Sequence, residues 1–276
     1  MKLHFHTFNV LFFTILLCCS TSVHSASDIH TLMEVAGITE QINELPKTMK
    51  AGFEQGLAQK NAPNKDALLK SVDQAILPSI IIEKTHTALK KALSKEDIKT
   101  LLTWYQSDLG KGLTAAENSA STIEASQTVA NQLQTLLSNE KRVELAKKLD
   151  KAVGMTDTAV DIQLFTMESM FTAFSSMEDP SSSIDPSQYR ARIEAMKPQM
   201  NAQMEPFIHA TMVHTYRSFD DKSMDKYAAF LSQPAAQKLT TASIEGMKSG
   251  LKIVTQAWIK DIATIAKANQ KNRNSP

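Results

Sequence analysis

Apolar positions recur along this chain in steps of three and four rather than two, which is the period of a helix with one buried face. Ile98, Leu101, Leu102, Tyr105 and Leu109 form one such stripe. The same spacing predicts helix over 28–60, with a soft point at Gly37, and over 66–92, with a kink at Pro78, where the ring removes a backbone donor. NAPNK, 61–65, reads as a turn, and MEDPSSSIDPS, 177–187, as an exposed loop. Ser94 opens a new helix, with Asp97 three residues on in the place that Glu or Gln usually takes in a capping box. Long alternation of β-branched and aromatic residues, the mark of strands, is missing. The pattern predicts an all-α fold, fraying at its last residues, NQKNRNSP.

The stretch YQSDLGKGL, 105–113, ends one helical stripe with a polar break and a glycine, as a sharp corner between two helices would. It recurs. LSKEDIKTLLTWYQSDLGKGLTAAE, from Leu93, aligns with FDDKSMDKYAAFLSQPAAQKLTTAS, from Phe219, at an offset of 126. Trp104 meets Phe230, Tyr105 meets Leu231, Gly110 meets Ala236 and Leu113 meets Leu239. Asp220 takes the capping role of Ser94. Ser107 or Asp108 in one corner and Ser232 in the other can cap the next helix, and Pro234 suits its first turn. Upstream, EVAGITE, 34–40, resembles KAVGMTD, 151–157, at an offset of 117. Both matches predict two related helical units in tandem, 26–142 and 143–276, packed as one multi-helix bundle. Trp104, Tyr105, Gly110, Leu113, Phe230, Pro234, Ala236 and Leu239 are the residues expected to pack its two corners.

The first 25 residues carry one charge, Lys2, then an apolar run from Val10 to Cys19, with Val23 and Ser25 placed for cleavage before Ala26. This reads as a signal peptide. A retained anchor is the weaker reading, because the run is short of the roughly 20 residues that a span needs. Lipid attachment at Cys18 or Cys19 is weaker still, since no small residue precedes them. Cleavage removes both cysteines, and with them any disulfide, thiolate metal site or cysteine nucleophile. It also brings Lys plus Arg from 30 to 29, level with Asp plus Glu. A neutral chain has no long-range attraction to nucleic acid or an anionic membrane surface, and no stable membrane insertion is expected after cleavage.

The corner resembles the segment shared by bacterial envelope proteins that carry the domain of unknown function 2059, of the form FY-x-S-P-x-G-x-x-L after an acidic capped helix start. Trp104, Tyr105, Ser107, Gly110 and Leu113 match it, and Asp108 stands where the family commonly has proline. The second stretch keeps Ser232, Pro234 and Leu239, with Ala236 in place of glycine. The resemblance covers about 50 residues in each half. It implies an all-helical exported protein, hence the periplasm, and supplies no catalytic residue.

Of the candidate chemistries, methionine stands out, with 13 in the chain. Met196, Met200 and Met204 recur every four residues, followed by His209, Met212 and His214, and thioethers with imidazoles are soft ligands suited to Cu(I). Such a ladder is also what a buried stripe looks like, and Pro198 and Pro206 are expected to interrupt it. Met167, Met170, Phe171 and Phe174 form an adaptable apolar stripe before the loop, suited to core packing or to a groove for a lipid-like ligand or apolar peptide. Trp258 reads as core. Glu83 and His86 have the spacing used in helical di-iron sites, but the second half offers only Glu205 and His209, four apart. No Gly-x-Ser-x-Gly elbow, His-Glu-x-x-His or phosphate loop occurs, and cleavage leaves four histidines, His30, His86, His209 and His214. The sequence therefore points to a non-enzymatic envelope protein without a cofactor, whose partner is an envelope protein or an apolar ligand, with room for a homo-oligomer. Copper handling and unrecognised carboxylate chemistry are the alternatives.

Overall fold

The computed structural model describes residues 22–60, 65–178 and 186–273, and among them every element is a helix. The first half of the chain holds α1 (Ser22–Val35), α2 (Ile38–Lys60), α3 (Lys65–Ala75), α4 (Pro78–Ala92), α5 (Lys95–Tyr105), α6 (Asp108–Ala120), α7 (Ile123–Asn131) and α8 (Leu133–Leu137). The second holds α9 (Glu140–Val153), α10 (Met155–Glu178), α11 (Pro186–Thr215), α12 (Asp221–Leu231) and α13 (Pro234–Arg273). Residues 1–21, most of the expected signal peptide, lie outside the described residues, and α1 begins four residues before the expected cleavage at Ala26. No described helix is long and apolar enough to cross a membrane.

The breaks between helices follow local chemistry. Gly37, φ +72°, parts α1 from α2, and Gly154, φ +65°, parts α9 from α10. Both are left-handed turns that a Cβ would disfavour. Ser94 accepts the Asp97 backbone N–H, and the Asp97 carboxylate accepts that of Ser94, a complete capping box at the start of α5. Asp220 caps α12 through the Ser223 N–H at 2.8 Å.

Three expectations need correction. The chain breaks at Pro78 rather than kinking. Leu77 is driven into the extended region ahead of the proline, and Pro78 becomes the first residue of α4. Pro198 and Pro206 do not interrupt α11, which runs through both. The carbonyls they free belong to Glu194 and Ala202, on the exposed side, where solvent replaces the lost bond. The expected loop at 177–187 is narrower, since α10 continues through Glu178 and α11 opens at Pro186; residues 179–185 lie outside the described residues.

The halves interlock. The most extensive helix contact joins α4 of the first half to α13 of the second, while α11 of the second lies against α6, α7 and α8 of the first. Two glycines permit the first of these crossings. A Cβ at Gly250 would sit 2.6 Å from the Ile81 Cα, and one at Gly246 would strike the Thr85 backbone. The main core draws on both halves, with Ile29, Leu32, Leu101 and Leu113 beside Met212, Met224, Phe230 and Leu239. A second cluster joins Ile42, Val72 and Ile81 to Leu251, Val254 and Trp258. A third, between α10 and α11, holds Val160, Leu164, Ile193 and Met200.

Candidate functional site

The corner between α5 and α6 is held by its own residues. The Ser107 hydroxyl accepts the Gly110 N–H at 3.1 Å and donates to the Trp104 carbonyl at 2.6 Å. A Cβ at Gly110 would fall on that same carbonyl, so the turn requires glycine. The second corner is built differently. The Ser232 hydroxyl turns back to the Ala228 carbonyl and caps nothing ahead of it. Pro234 starts α13, and the Gln237 amide ties the Leu231 and Ala152 carbonyls together from inside the helix. Ala236 and Leu239 are buried, as Gly110 and Leu113 are in the first corner, whereas Pro234 is exposed.

The two corners meet. Trp104 stacks on Phe230 with ring centroids 4.3 Å apart and planes 6° from parallel, and Tyr105 meets the edge of the same ring at 5.6 Å. Trp104 also stacks at 6.2 Å on Tyr227, which meets Tyr216 at 5.8 Å. Behind these rings lies a residue that sequence reasoning missed. The Tyr216 and Tyr227 hydroxyls donate to the same oxygen of Glu117, at 2.7 and 2.6 Å. Burial pushes the Glu117 carboxyl above its ordinary value, and the two donated hydrogen bonds pull it part of the way back. Burial, and then the Glu117 charge, raise both tyrosines well above theirs. The signal was present in the sequence, since Glu117 stands four residues after Leu113 on the buried face of α6.

A second buried polar group was also missed. Asp150 accepts the Thr156 backbone N–H at 2.9 Å and the Thr156 hydroxyl at 2.5 Å, and its other contact is His209 Nε2 at 3.1 Å. Glu205 stands 3.9 Å from the same nitrogen. His209 is 4% exposed, so this constellation closes the turn from α9 to α10 and opens to no substrate. The other Glu–His pair is unlike it, for Glu83 is exposed on α4 beside Lys84.

The methionine–histidine run lies on α11 but is divided among environments. Met196 is exposed, Met200 and Met204 pack with Met167 in the third cluster, and Met212 belongs to the main core. Burial, with Arg217 beside it, holds the His214 imidazole below its usual value. The side chains of Met170, Phe171 and Phe174 lie outside the described residues. Trp258 is in the core, where its indole donates to Ser71 at 2.9 Å and its ring meets Phe53 edge-on at 4.9 Å.

Two of the grooves that open among the described residues exceed 600 Å³. One, of about 630 Å³, lies between α10, α11 and α13. Its floor is Leu164, Phe165 and Ile193, and at its rim Asp161 accepts from Lys197 at 2.5 Å and Lys248 at 2.6 Å. Burial raises the Asp161 carboxyl, but these lysines outweigh it and hold the group below its usual range. The other, of about 710 Å³, lies between α2, the α6–α7 junction and α11.

Residues 80–139, from α4 to the end of α8, match the family described as "Uncharacterized protein conserved in bacteria (DUF2059)". The match contains the first corner whole, with Trp104, Ser107, Gly110 and Leu113. No curated protein and no solved structure matches the chain.

Proposed function

We propose that this chain is a non-enzymatic binding protein of the bacterial periplasm, exported by its first 25 residues and made of two tandem copies of one helical unit. The duplication is supported by helix boundaries: α5 and α12 start and end 126 residues apart, as do the starts of α6 and α13. The two left-handed glycines, Gly37 and Gly154, are 117 apart. The reciprocal packing of α4 on α13 and of α11 on α6–α8 fits a unit that once paired with its own copy.

The observation that carries the binding reading is the groove between α10, α11 and α13. Its apolar floor joins the cluster that holds Met167, Met200 and Met204. Methionine adapts its shape to an irregular apolar partner, and a groove of this size suits a lipid-like ligand or an apolar segment of an envelope protein. The carboxylate and imidazole of Asp150 and His209 are sealed in the core, which weighs against hydrolytic chemistry there. Native mass spectrometry of protein taken from the periplasm tests the reading. An adduct of lipid or peptide mass, lost in Leu164→Asp, supports it. A bare chain that also crosslinks to no envelope protein overturns it.

The gathering of three thioethers from α10 and α11 favours a second reading, soft-metal handling. Cu(I) titration of the protein against Met167→Leu/Met200→Leu/Met204→Leu decides it. Equal affinity in both ends it.

A further inference from the structure

We infer that the groove between α2, the α6–α7 junction and α11 is a second binding site, for a neutral carbohydrate. Its position mirrors that of the apolar groove. Thr48 and Phe165, which line the two grooves, are 117 residues apart, and Thr122 and Lys248 are 126 apart, the same spacings that relate the glycine turns and the corners. The chemistry differs. Where one groove has Lys248 and Lys252, the other has Thr122 and Ser126, and no lysine or arginine is among the described residues that line it. Glu54, at its edge, is paired with Lys65 at 2.8 Å. Among the described residues an anion would find only that lysine, already paired.

The hydroxyls also have a direction. Thr48 donates to the Glu44 carbonyl at 3.2 Å, Ser121 to Asn118 at 2.7 Å and Thr211 to Phe207 at 2.8 Å. Each spends its proton on its own helix backbone, so toward the groove it offers lone pairs. The ligand must therefore bring donors. Phe207 and Ile123 supply an apolar surface. Beside them Gly52 leaves open space, since a Cβ there would meet nothing within 4 Å. A pyranose ring fits these terms together, with an apolar C–H face for Phe207 and hydroxyls that donate outward. A peptide strand would bring as many carbonyl acceptors as donors, and the groove has few donors to meet them. The volume of about 710 Å³ lies within the roughly 300–1,000 Å³ of small-molecule sites.

Cellotriose is the probe, because its equatorial hydroxyls leave both ring faces apolar. It is titrated into the purified protein by calorimetry and followed by backbone-amide NMR. We expect saturable shifts at residues 121–127 and 207–211. Gly52→Leu is expected to fill the groove and weaken binding at least tenfold without lowering the melting temperature. Phe207→Ala is expected to weaken it too, and Lys252→Glu, in the other groove, to leave it unchanged. The proposal is overturned if cellotriose moves none of these amides at about 10 mM. It is also overturned if Gly52→Leu binds like the parent, or if inorganic phosphate or 1,5-diaminopentane moves these amides and the sugar does not.

Discussion

Trp104 and Phe230 occupy the same place in the two matched segments, 126 residues apart, and they stack on each other at 4.3 Å. In the duplication proposed above, equivalent residues touch only near the axis that relates the two units, which would place this ring pair where the halves turn about one another. Removing Phe230 should therefore weaken both corners at once. Phe230→Ala is expected to cost about 3–5 kcal/mol in urea unfolding. A double-mutant cycle with Trp104→Ala should return a coupling of about 0.5–1.5 kcal/mol, the usual worth of an aromatic pair beyond its buried area. Trp104→Phe should cost far less than Trp104→Ala, because the enclosed indole nitrogen has no hydrogen-bond partner to lose. A coupling near zero would detach the stack from the joining of the halves.

Glu117 sets a pH dependence of unusual sign. Its carboxyl is raised in the folded chain, burial first and the tyrosine bonds opposing it. A raised acid binds its proton more tightly when folded, so its contribution is fully favourable below the unfolded value of about 4.3 and declines as pH rises through the folded value. Asp220 and Asp161 act in the opposite sense. Both are lowered, and the stability they give is lost as pH falls below about 3.9. Glu117→Gln keeps an oxygen for both tyrosines and cannot ionise. Its melting temperature should equal or exceed the parent's at pH 7, with the difference shrinking toward pH 4. Glu117→Ala, which strands two buried hydroxyls, should destabilise by about 1–3 kcal/mol for each. Parallel melting curves for parent and Glu117→Gln from pH 4 to pH 8 would remove the carboxyl from this role.

The helices were legible because their signals are local. The stripe through Ile98 and Leu101, the Ser94–Asp97 cap and the Gly110 turn each lie within a dozen residues, and each is realised as read. Proline was read less well. The chain is extended at Leu77 ahead of Pro78, whereas α11 runs on through Pro198 and Pro206, so the proline alone does not decide whether a helix ends. The polar centres at Glu117 and Asp150 escaped notice for a related reason. A lone acid on an apolar stripe gains meaning only from partners far along the chain, Tyr227 in one case and His209 in the other. The grooves depend on the same long-range packing, since Thr48 on α2 and Thr211 on α11 line one groove although they lie far apart in the chain.

Gly37 and Gly154 separate local strain from packing. Both have left-handed φ, and an alanine there should cost about 1–2 kcal/mol from the backbone alone. The surroundings differ. A Cβ at Gly154 would meet nothing within 4 Å, whereas one at Gly37 would lie 2.5 Å from the Asn118 side-chain oxygen and 3.0 Å from Thr114. Gly37→Ala is thus expected to be the more damaging by chemical denaturation, and Asn118→Ala should recover part of the difference. Equal costs would mean that the α1–α2 turn does not press on α6.

The crossing of α4 and α13 rests on the close approach that Gly246 and Gly250 allow, four residues apart on one face of α13. In an exposed helix interior, Gly→Ala stabilises by roughly 0.5–1 kcal/mol because the unfolded chain loses freedom. Gly52 on α2 is such a site, and Gly52→Ala should raise the melting temperature. At Gly250 the same methyl would lie 2.6 Å from the Ile81 Cα, a backbone atom that cannot swing aside as a side chain does. The helices would have to part along their length, opening the cluster of Ile81, Leu251 and Val254. Gly250→Ala should therefore destabilise by about 1–3 kcal/mol despite its better helix propensity. The opposite signs of these two substitutions, measured side by side by thermal unfolding, decide whether the halves are held together by this contact. A stabilising Gly250→Ala would show α13 free to move away from α4.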